Sequence, residues 1–535
     1  MNFDLKKILN RGEKKNEKEV NNLPEKQEET QELYYINQNN SENLRITPEE
    51  ILAYEKMSDN TLNQIQTPQP QVQPQIQSQT QSSNLSSIIS QMSATSAQTA
   101  IVPETKMPSI KKEKKLFEAA SCIEDLKLNQ ILIEDLALKF IFYLGECTGL
   151  ELGQKLRIPV ATVLDPVLMT LNDNGFITIL RSSGLGGHNK VYRLTEKGFS
   201  KAKNAIAVSS YVGPVPVSLD DYIKAVNSYA PLKIPSLDGF RKFYEDLVVK
   251  ESFLEDLAIA FSSEECIFLY GEPGMGKTTF VKRLVQCYPD SIKVPFAVHI
   301  NGAIIKFFDE SFHKPINPKF TIDGPIENNQ VDSRWVDVKR PCILVSTEFS
   351  AKHGTNIQYD VTGTTAFFPL TTKANGGVFI IDDFGRQEET PEQILNLWIE
   401  KLESSQDILM LKSGQQFYVP YTAMTIFTTN LEPANLIDPA FLRRLSYKLK
   451  VPSTDIESYC QIFANESDNR KIYWEDEILE YLIQTYYSKG NRSLASNHPR
   501  DILARVEEIC RYRGIAKPYT LTQELIDKAW HLHFL

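Results

Sequence analysis

The segment Gly271–Thr278 constrains the fold of this chain more than any other part of its sequence. It reads GEPGMGKT, follows the apolar stretch Cys266–Tyr270 and runs into Thr278–Gln286, which is compatible with a helix. A glycine-rich loop between a buried strand and a helix turns its backbone N–H groups, its lysine and its threonine toward phosphate oxygens and Mg²⁺. The sequence therefore predicts an α/β domain, with a parallel sheet flanked by helices, that binds a nucleoside triphosphate and Mg²⁺.

This loop supplies most of the predicted nucleotide ligands. Lys277 is expected to reach the β and γ phosphates, and the Thr278 hydroxyl is expected to bind Mg²⁺. Further along, the apolar stretch Gly376–Ile381 is typical of a buried strand and ends in Asp382, which is expected to hold the metal ion through water. The loop residues predicted to bind the nucleotide are Gly271, Glu272, Pro273, Gly274, Met275, Gly276, Lys277, Thr278 and Thr279.

Three later segments extend this pattern. An apolar strand ends at Asn430, two arginines close the segment Asp438–Arg444, and Asn497–Asp501 contains a proline that can start a helix. The order and spacing of these segments after the loop and Asp382 resemble those of the AAA+ ATPases. The resemblance covers about Val217–Leu535. The resemblance implies ATP hydrolysis with Mg²⁺ in a ring of identical chains, most often a hexamer, in which active sites form between subunits.

The resemblance also implies roles for individual residues. Asp383 takes the position of the glutamate that polarises the attacking water, and Asn430 would help to orient that water. Arg443 or Arg444 would act as an arginine finger on the nucleotide of the neighbouring subunit, and Arg500 would reach the phosphates from the C-terminal helical region. Aspartate is one methylene shorter than glutamate, so an ATP-bound scaffold with very slow turnover is an alternative.

The part of the chain before the loop begins with a low-complexity region. It is rich first in Lys, Glu and Asn and then in Gln, Ser and Thr, so it is predicted to be a disordered tether with one short helix at Thr47–Leu52. The predicted domains are this tether (residues 1–115), a winged-helix-like α+β domain (122–210), the AAA+ ATPase core (216–450) and a helical lid (451–535).

Residues 122–210 resemble a winged helix-turn-helix, with three helices followed by a hairpin. Asp165 is the predicted N-cap of the third helix and Pro166 lies in its first turn. Phe176–Leu180 and Lys190–Leu194 are the predicted strands of the hairpin, joined by the glycine-rich turn Gly184–Gly187.

The third helix would be the recognition helix of a DNA-binding domain. Its residues 167–173 contain no cation, although base edges and phosphates require donors or cations. Arg181, His188, Lys190 and Arg193 in the hairpin could contact phosphates. Docking to a protein is therefore favoured for this domain, and DNA binding is the alternative.

Two further motifs favour a protein-remodelling role. Tyr211–Val217 and Ile381–Gln387, together with the winged-helix-like segment, resemble a bacterial group described as predicted AAA+ ATPases with chaperone activity associated with Flp (Tad) pilus assembly. The resemblance implies an unknown protein client or adaptor. A hairpin predicted from Ile408–Leu411 and Phe417–Val419 resembles those with which some AAA+ proteins grip protein or nucleic acid near a central pore, so it is the candidate for substrate contact. The alternative to a protein remodeller is a nucleotide-switched DNA-binding regulator that uses the winged-helix-like domain.

Composition limits the compartment and the partners. The net charge of −10 argues against nucleic acid or an anionic membrane as the main partner. The seven cysteines are dispersed without a CxxC pair, which is typical of reduced thiols in a cytoplasmic protein. No stretch is apolar over the length that a bilayer requires. A cytoplasmic protein without direct membrane insertion is therefore expected, and the resemblance implies that it is bacterial. The seven histidines are dispersed as well, so no metal site besides that for Mg²⁺ is expected.

Overall fold

The computed structural model describes residues 115–182, 189–230, 236–288, 290–317, 319–321, 324, 330–350, 354–436 and 442–534. The predicted tether up to residue 114, its helix at Thr47–Leu52, the turn Gly184–Gly187, His188 and residues 438–441 lie outside the described residues. Among the described residues, no helix has both the length and the hydropathy that crossing a bilayer requires. All seven cysteines are free.

The first folded part contains the predicted three helices and hairpin, with one additional strand. The additional strand lies directly before the second helix, and the three strands form an antiparallel sheet in the order β1-β3-β2. The elements are α1 (Gln130–Leu144), β1 (Glu146–Thr148), α2 (Gly149–Leu156), α3 (Asp165–Asp173), β2 (Ile177–Ser182), β3 (Lys190–Leu194) and α4 (Glu196–Val208).

The start of α3 differs from the prediction. Asp165 does not cap the helix, because a π-helical segment, Val160–Leu164, runs directly into it and gives Asp165 helical backbone angles (φ −57°, ψ −44°). Pro166 occupies the first turn, as predicted. The helix ends with Asn174 as C-cap, and Gly175 follows with φ +70°. The helical conformation therefore begins at Val160, before the start that Asp165 and Pro166 predict.

Two five-stranded sheets and two antiparallel pairs of strands occupy the middle of the described chain, and of the two larger sheets one was predicted from the sequence. The elements are β4 (Val217–Ser218), α5 (Leu219–Asn227), α6 (Leu237–Arg241), α7 (Glu251–Ser262), β5 (Ile267–Tyr270), α8 (Lys277–Gln286), β6 (Ser291–Pro295), β7 (Ala297–Ile300), β8 (Ala303–Lys306), β9 (Trp335–Lys339), β10 (Cys342–Val345), β11 (Gln358–Tyr359), β12 (Ala366–Phe367), α9 (Leu370–Lys373), β13 (Val378–Ile381), α10 (Pro391–Ser404), β14 (Gln406–Met410), β15 (Gln416–Pro420), β16 (Met424–Thr429), α11 (Pro433–Leu436) and β17 (Tyr447–Lys450).

The predicted parallel sheet is present. Its strand order is β10-β13-β16-β5-β17, with every pair parallel, and apolar clusters cover both of its faces. Burial on both faces explains why β5, β13 and β16 are continuous apolar runs rather than alternating ones. Since the carboxyl ends of parallel strands meet at one edge, the loops after these three strands lie next to one another.

The second sheet is mixed, with the order β11-β12-β8-β7-β4, and the antiparallel pair β6–β9 packs into the same apolar cluster. It was not predicted, because its strands are only two to four residues long and gain stability from tertiary packing rather than from a local pattern. The predicted hairpin is present as β14–β15, with Met410 opposite Gln416 and Gly414 in its turn at φ +85°.

The C-terminal part is mainly helical. Its apolar cluster consists of residues between Tyr459 and Ala529 and includes none from the parallel sheet. The elements are α12 (Ile456–Arg470), β18 (Ile472–Tyr473), α13 (Asp476–Leu482), α14 (His498–Tyr512), β19 (Tyr519–Thr520) and α15 (Gln523–His533), with a π-helical segment at Ile483–Ser488.

Candidate nucleotide site

The glycine-rich loop folds around the side chain of Lys277. Lys277 is the first residue of α8, and its ammonium donates hydrogen bonds to the carbonyl oxygens of Gly271 (2.9 Å) and Glu272 (2.8 Å) and to Oδ1 of Asn430 (2.6 Å). Burial lowers the pKa of the Lys277 ammonium, while the carboxylates of Asp383 and Asp382 oppose that shift. The loop therefore holds one desolvated cation at the carboxyl edge of the sheet.

The two predicted metal ligands are in direct contact. The Thr278 hydroxyl lies 2.9 Å from Oδ2 and 3.1 Å from Oδ1 of Asp382. Asp382 also accepts hydrogen bonds from the Thr428 hydroxyl and from the backbone N–H of Asp383 (3.2 Å). Neighbouring hydroxyl and carboxylate oxygens are the hard ligands that Mg²⁺ prefers, so this pair fits the metal ion that the sequence implies.

Asn430 links the lysine to the second carboxylate. Its Nδ2 donates to Oδ1 of Asp383 (3.1 Å), while its Oδ1 accepts from Lys277. Asp383 has φ +50°, a left-handed conformation that aspartate and asparagine adopt more readily than longer side chains. The backbone at this position therefore favours aspartate over glutamate.

A cavity of about 590 Å³ lies beside these groups. This volume falls within the range typical of small-molecule sites. Of the predicted site residues, those that line it are Pro273, Gly274, Gly276, Lys277, Thr278, Thr279, Asp382, Asp383, Asn430 and Arg500.

Three residues of the loop contribute in other ways. Gly271 and Glu272 provide the carbonyl oxygens that accept from Lys277. The side chain of Met275 is buried in the core below the loop, and its sulfur accepts a hydrogen bond from Thr454 (3.4 Å). The sequence prediction placed all three among the nucleotide ligands, whereas none of them lines the cavity.

The predicted arginines lie in different surroundings. Arg500 lines the cavity, and its Nε donates to Oδ1 of the adjacent Asp501 (3.1 Å). Arg443 is exposed, and Arg444 pairs with Glu403 of α10. Neither Arg443 nor Arg444 lines the cavity of its own chain.

Comparisons with known proteins give little information about the function of this site. The matching family model is described as a domain of unknown function, DUF8689, and covers residues 455–532. No curated protein matches the chain. Similar solved structures include a RuvB mutant from Thermotoga maritima (13% identity, 53% of this chain, 69% of that chain, TM-score 0.32). They also include the T. maritima RuvB Holliday junction branch migration motor (13% identity, 59% of this chain, 71% of that chain, TM-score 0.29). A third is NtrX from Brucella abortus in complex with ATP (11% identity, 63% of this chain, 64% of that chain, TM-score 0.33). Likenesses this low decide neither fold nor function.

The segment that matches the family model contributes several cavity residues that the sequence did not reveal. Ser496 Oγ and Asn497 N both donate to the carbonyl oxygen of Gly274, at 2.8 and 3.2 Å. These contacts join residues more than two hundred positions apart, so no local motif could predict them. The cavity residues that sequence reasoning missed are Asp246, Leu247, Val248, Phe280, Arg283, Ile462, Asn465, Glu466, Asn469, Ser496 and Asn497.

Gln387 is the last residue of the motif Ile381–Gln387, but the sequence did not predict its role. Its Nε2 lies 3.2 Å from the carbonyl oxygen of Asp382 and 3.3 Å from that of Ser346, which follows β10. Its Oε1 accepts from the N–H of Gly385 (2.9 Å). The side chain therefore ties the loop after β13 to the end of the neighbouring strand, which helps to fix Asp382 and Asp383.

Proposed function

We propose that the chain is an AAA+ ATPase that binds ATP and Mg²⁺ in this cavity and uses hydrolysis to remodel a protein client. The observation that carries the proposal is the contact between Lys277, Thr278, Asp382, Asp383 and Asn430 at one edge of the parallel sheet. These residues come from three separate segments, the start of α8, the loop after β13 and the end of β16, yet they form one connected hydrogen-bond network. The cavity that they line has the volume that a nucleotide requires.

Each group has a task that its position supports. Lys277 would bind the β and γ phosphates, and Thr278 with Asp382 would hold Mg²⁺, which neutralises phosphate charge when bound. Asp383 would accept a proton from the attacking water, and Asn430 would orient that water. Asn430 already bonds to Lys277 and Asp383. A small rearrangement of these three side chains would therefore place them around the terminal phosphate.

Arginines from two sources would complete the site. Arg500 lies at the cavity and would exchange Asp501 for a phosphate when nucleotide binds. Arg443 is exposed on its own chain, as a residue that contacts the nucleotide of a neighbouring subunit must be, and Arg444 would first have to leave Glu403. We therefore infer a homo-oligomeric ring, with Arg443 favoured as the finger.

The winged-helix-like domain would recruit a protein rather than DNA. On α3, Met169, Asn172 and Asp173 are exposed, so the helix presents apolar and acidic groups instead of cations. In the hairpin, Arg181 and Arg193 each lie 3.9 Å from the carboxylate of Glu146. Pairing with this carboxylate weakens their attraction for phosphates.

The hairpin β14–β15 offers the candidate surface for the client. Ile408 and Tyr418 lie directly opposite each other and are 40% and 56% exposed, and Met410 on the same face is 55% exposed. The exposed residues of the two strands include no charged side chain, which suits an apolar polypeptide segment better than a nucleic acid.

The experiment that tests the proposal is ATP hydrolysis measured against protein concentration. Specific activity is expected to rise steeply with concentration, because the active site forms between subunits, and to be lost in Lys277→Ala and strongly reduced in Asp383→Asn. Arg443→Ala should lower turnover by about 10³-fold, and Arg444→Ala by much less. Lys282→Ala, on the same helix but outside the cavity, is the control. Turnover that is absent, or independent of concentration and of both arginines, would contradict the motor.

A further inference from the structure

Asp382 is held by a donor that no sequence motif marks. Thr428 lies on β16, its side chain is 1% exposed, and its hydroxyl donates a hydrogen bond to Oδ1 of Asp382. The carbonyl oxygen of Thr428 accepts from the N–H of Phe384 (2.7 Å). One residue therefore contacts the loop after β13 at two points, once through its side chain and once through its backbone.

The two threonine hydroxyls that bond to Asp382 differ in what else they can do. Thr278 lines the cavity, and a hydroxyl oxygen that binds a cation still has a proton to donate, so Thr278 can bind Mg²⁺ and keep its bond to Asp382. Thr428 does not line the cavity. Its hydroxyl is directed at the carboxylate alone among the contacts described, which makes it a support for the ligand rather than a ligand.

We propose that Thr428 is a positioning residue for Mg²⁺, which rests on the proposed nucleotide function. Its hydroxyl holds the Asp382 carboxylate in the orientation that receives the metal ion. Because Thr428 is buried, water cannot readily replace the donor if the hydroxyl is removed. Loss of such an outer contact typically weakens metal binding by about 10–100-fold.

The same strand provides a matched control. Thr425 is also 1% exposed, but its hydroxyl bonds to the hydroxyl of Tyr421 (2.7 Å), away from the carboxylates. Thr425→Val and Thr428→Val thus remove the same atom from similarly buried positions of one strand. Only the second change removes a donor from Asp382.

The experiment measures binding of a fluorescent, non-hydrolysable ATP analogue to the full chain, as a function of free Mg²⁺ and in EDTA. Thr428→Val is expected to raise the Mg²⁺ concentration for half-maximal binding by about tenfold or more. Thr428→Ser, which keeps the hydroxyl, and Thr425→Val should behave like the unaltered chain. In EDTA all variants should bind the analogue equally, which shows that the site is folded. Thr428→Ala removes the same donor and replaces the valine variant if that protein does not fold.

The outcomes separate the two proposals. An unaltered chain that binds the analogue without any effect of Mg²⁺ would overturn the proposed function and this inference with it. If the unaltered chain responds to Mg²⁺ while Thr428→Val responds as Thr425→Val does, the inference alone is wrong. Failure of Thr428→Ser to restore the response would also overturn it, because shape and not the hydroxyl would then be responsible.

Discussion

Two glycines of the loop Gly271–Thr278 share a left-handed backbone, but the space around them differs. Gly274 has φ +79° and Gly276 has φ +81°. A Cβ atom on Gly274 would lie 2.2 Å from Oδ1 of Asn497, whereas on Gly276 the nearest atom would be in Phe280, at 3.7 Å. Both positions require a residue that tolerates positive φ, but only Gly274 must also leave room for the helical C-terminal part of the chain.

Alanine substitutions should separate these two requirements. Gly276→Ala is expected to lower the free energy of unfolding by about 1–2 kcal/mol, the cost of the left-handed backbone, and Gly274→Ala should lower it further through the clash. Adding Asn497→Ala to Gly274→Ala should recover the difference. Urea unfolding followed by tryptophan fluorescence would measure this. Equal losses for the two glycines would show that Asn497 moves aside without cost.

At the scale of the element, the β14–β15 hairpin has two faces with different tasks. Leu409 and Phe417 are buried in the apolar cluster of the second sheet, while Ile408, Met410 and Tyr418 remain exposed. The alternation follows from the period of two in a strand. The buried face fixes the hairpin to the molecule, and the exposed face is the surface that we propose for client contact.

Substitutions on the buried face should therefore change stability, and those on the exposed face should change stimulated ATP turnover. Leu409→Ala is expected to destabilise the chain by about 2–5 kcal/mol, because it leaves a cavity. Met410→Ala and Tyr418→Ala should change stability by less than about 0.5 kcal/mol and yet reduce the ATP turnover that an unfolded protein such as casein stimulates. Thermal unfolding and ATPase assays on the same samples would measure both. Unreduced casein stimulation in both exposed variants would remove the hairpin as the client surface.

At the scale of the whole molecule, the second sheet joins the other parts. The apolar cluster of the first folded part includes Ala297 and Ile304 from strands β7 and β8, and the cluster around the second sheet includes the hairpin. Asn375, just before β13, donates from Nδ2 to the Tyr222 hydroxyl (3.0 Å) and to the carbonyl oxygen of Pro420 (2.8 Å). The helix α5, the hairpin and the strand that leads to Asp382 thus meet at one side chain.

Two histidines, His313, which is fully buried, and His498, which is partly buried, lie in different parts of the molecule. His313 accepts from the N–H of Asp309 (3.0 Å) and contacts the carbonyl oxygen of Lys373 (2.9 Å), and the His498 ring contacts the Tyr487 hydroxyl (2.9 Å). Burial lowers the pKa of each imidazole to about 4. An unfolded imidazole titrates near 6.5, so below that pH the unfolded chain binds more protons than the folded one.

The free energy of unfolding should accordingly fall as the pH drops from about 6.5 to about 4. His313→Gln, which keeps a donor and an acceptor without the titration, should show a shallower decrease. Urea unfolding at several pH values between 7 and 4.5 would measure both slopes. An identical slope for the two proteins would mean that His313 is not the source of the pH dependence.

Prediction from the sequence succeeded at positions where a single physical requirement restricts which residues can occur. The loop glycines and Lys277 follow from the geometry of phosphate binding, and the apolar runs before Asp382 and Asn430 follow from burial on both faces of a parallel sheet. Short strands and helix starts were less predictable. The N-cap assigned to Asp165 was wrong, because packing of the preceding π-helical segment outweighed a local capping preference.

The sequence by itself determined the parallel α/β core, the hairpin and the order of the groups that reach its carboxyl edge, because these depend on local periodicity and on residues with special backbone or charge. Only the tertiary structure decided that Thr428 supports Asp382, that Ser496 and Asn497 contact Gly274, and that a second sheet holds the hairpin. Such contacts join distant residues of common types. Their partners are chosen by the packing of the whole chain, which leaves no periodic or spaced pattern in the sequence.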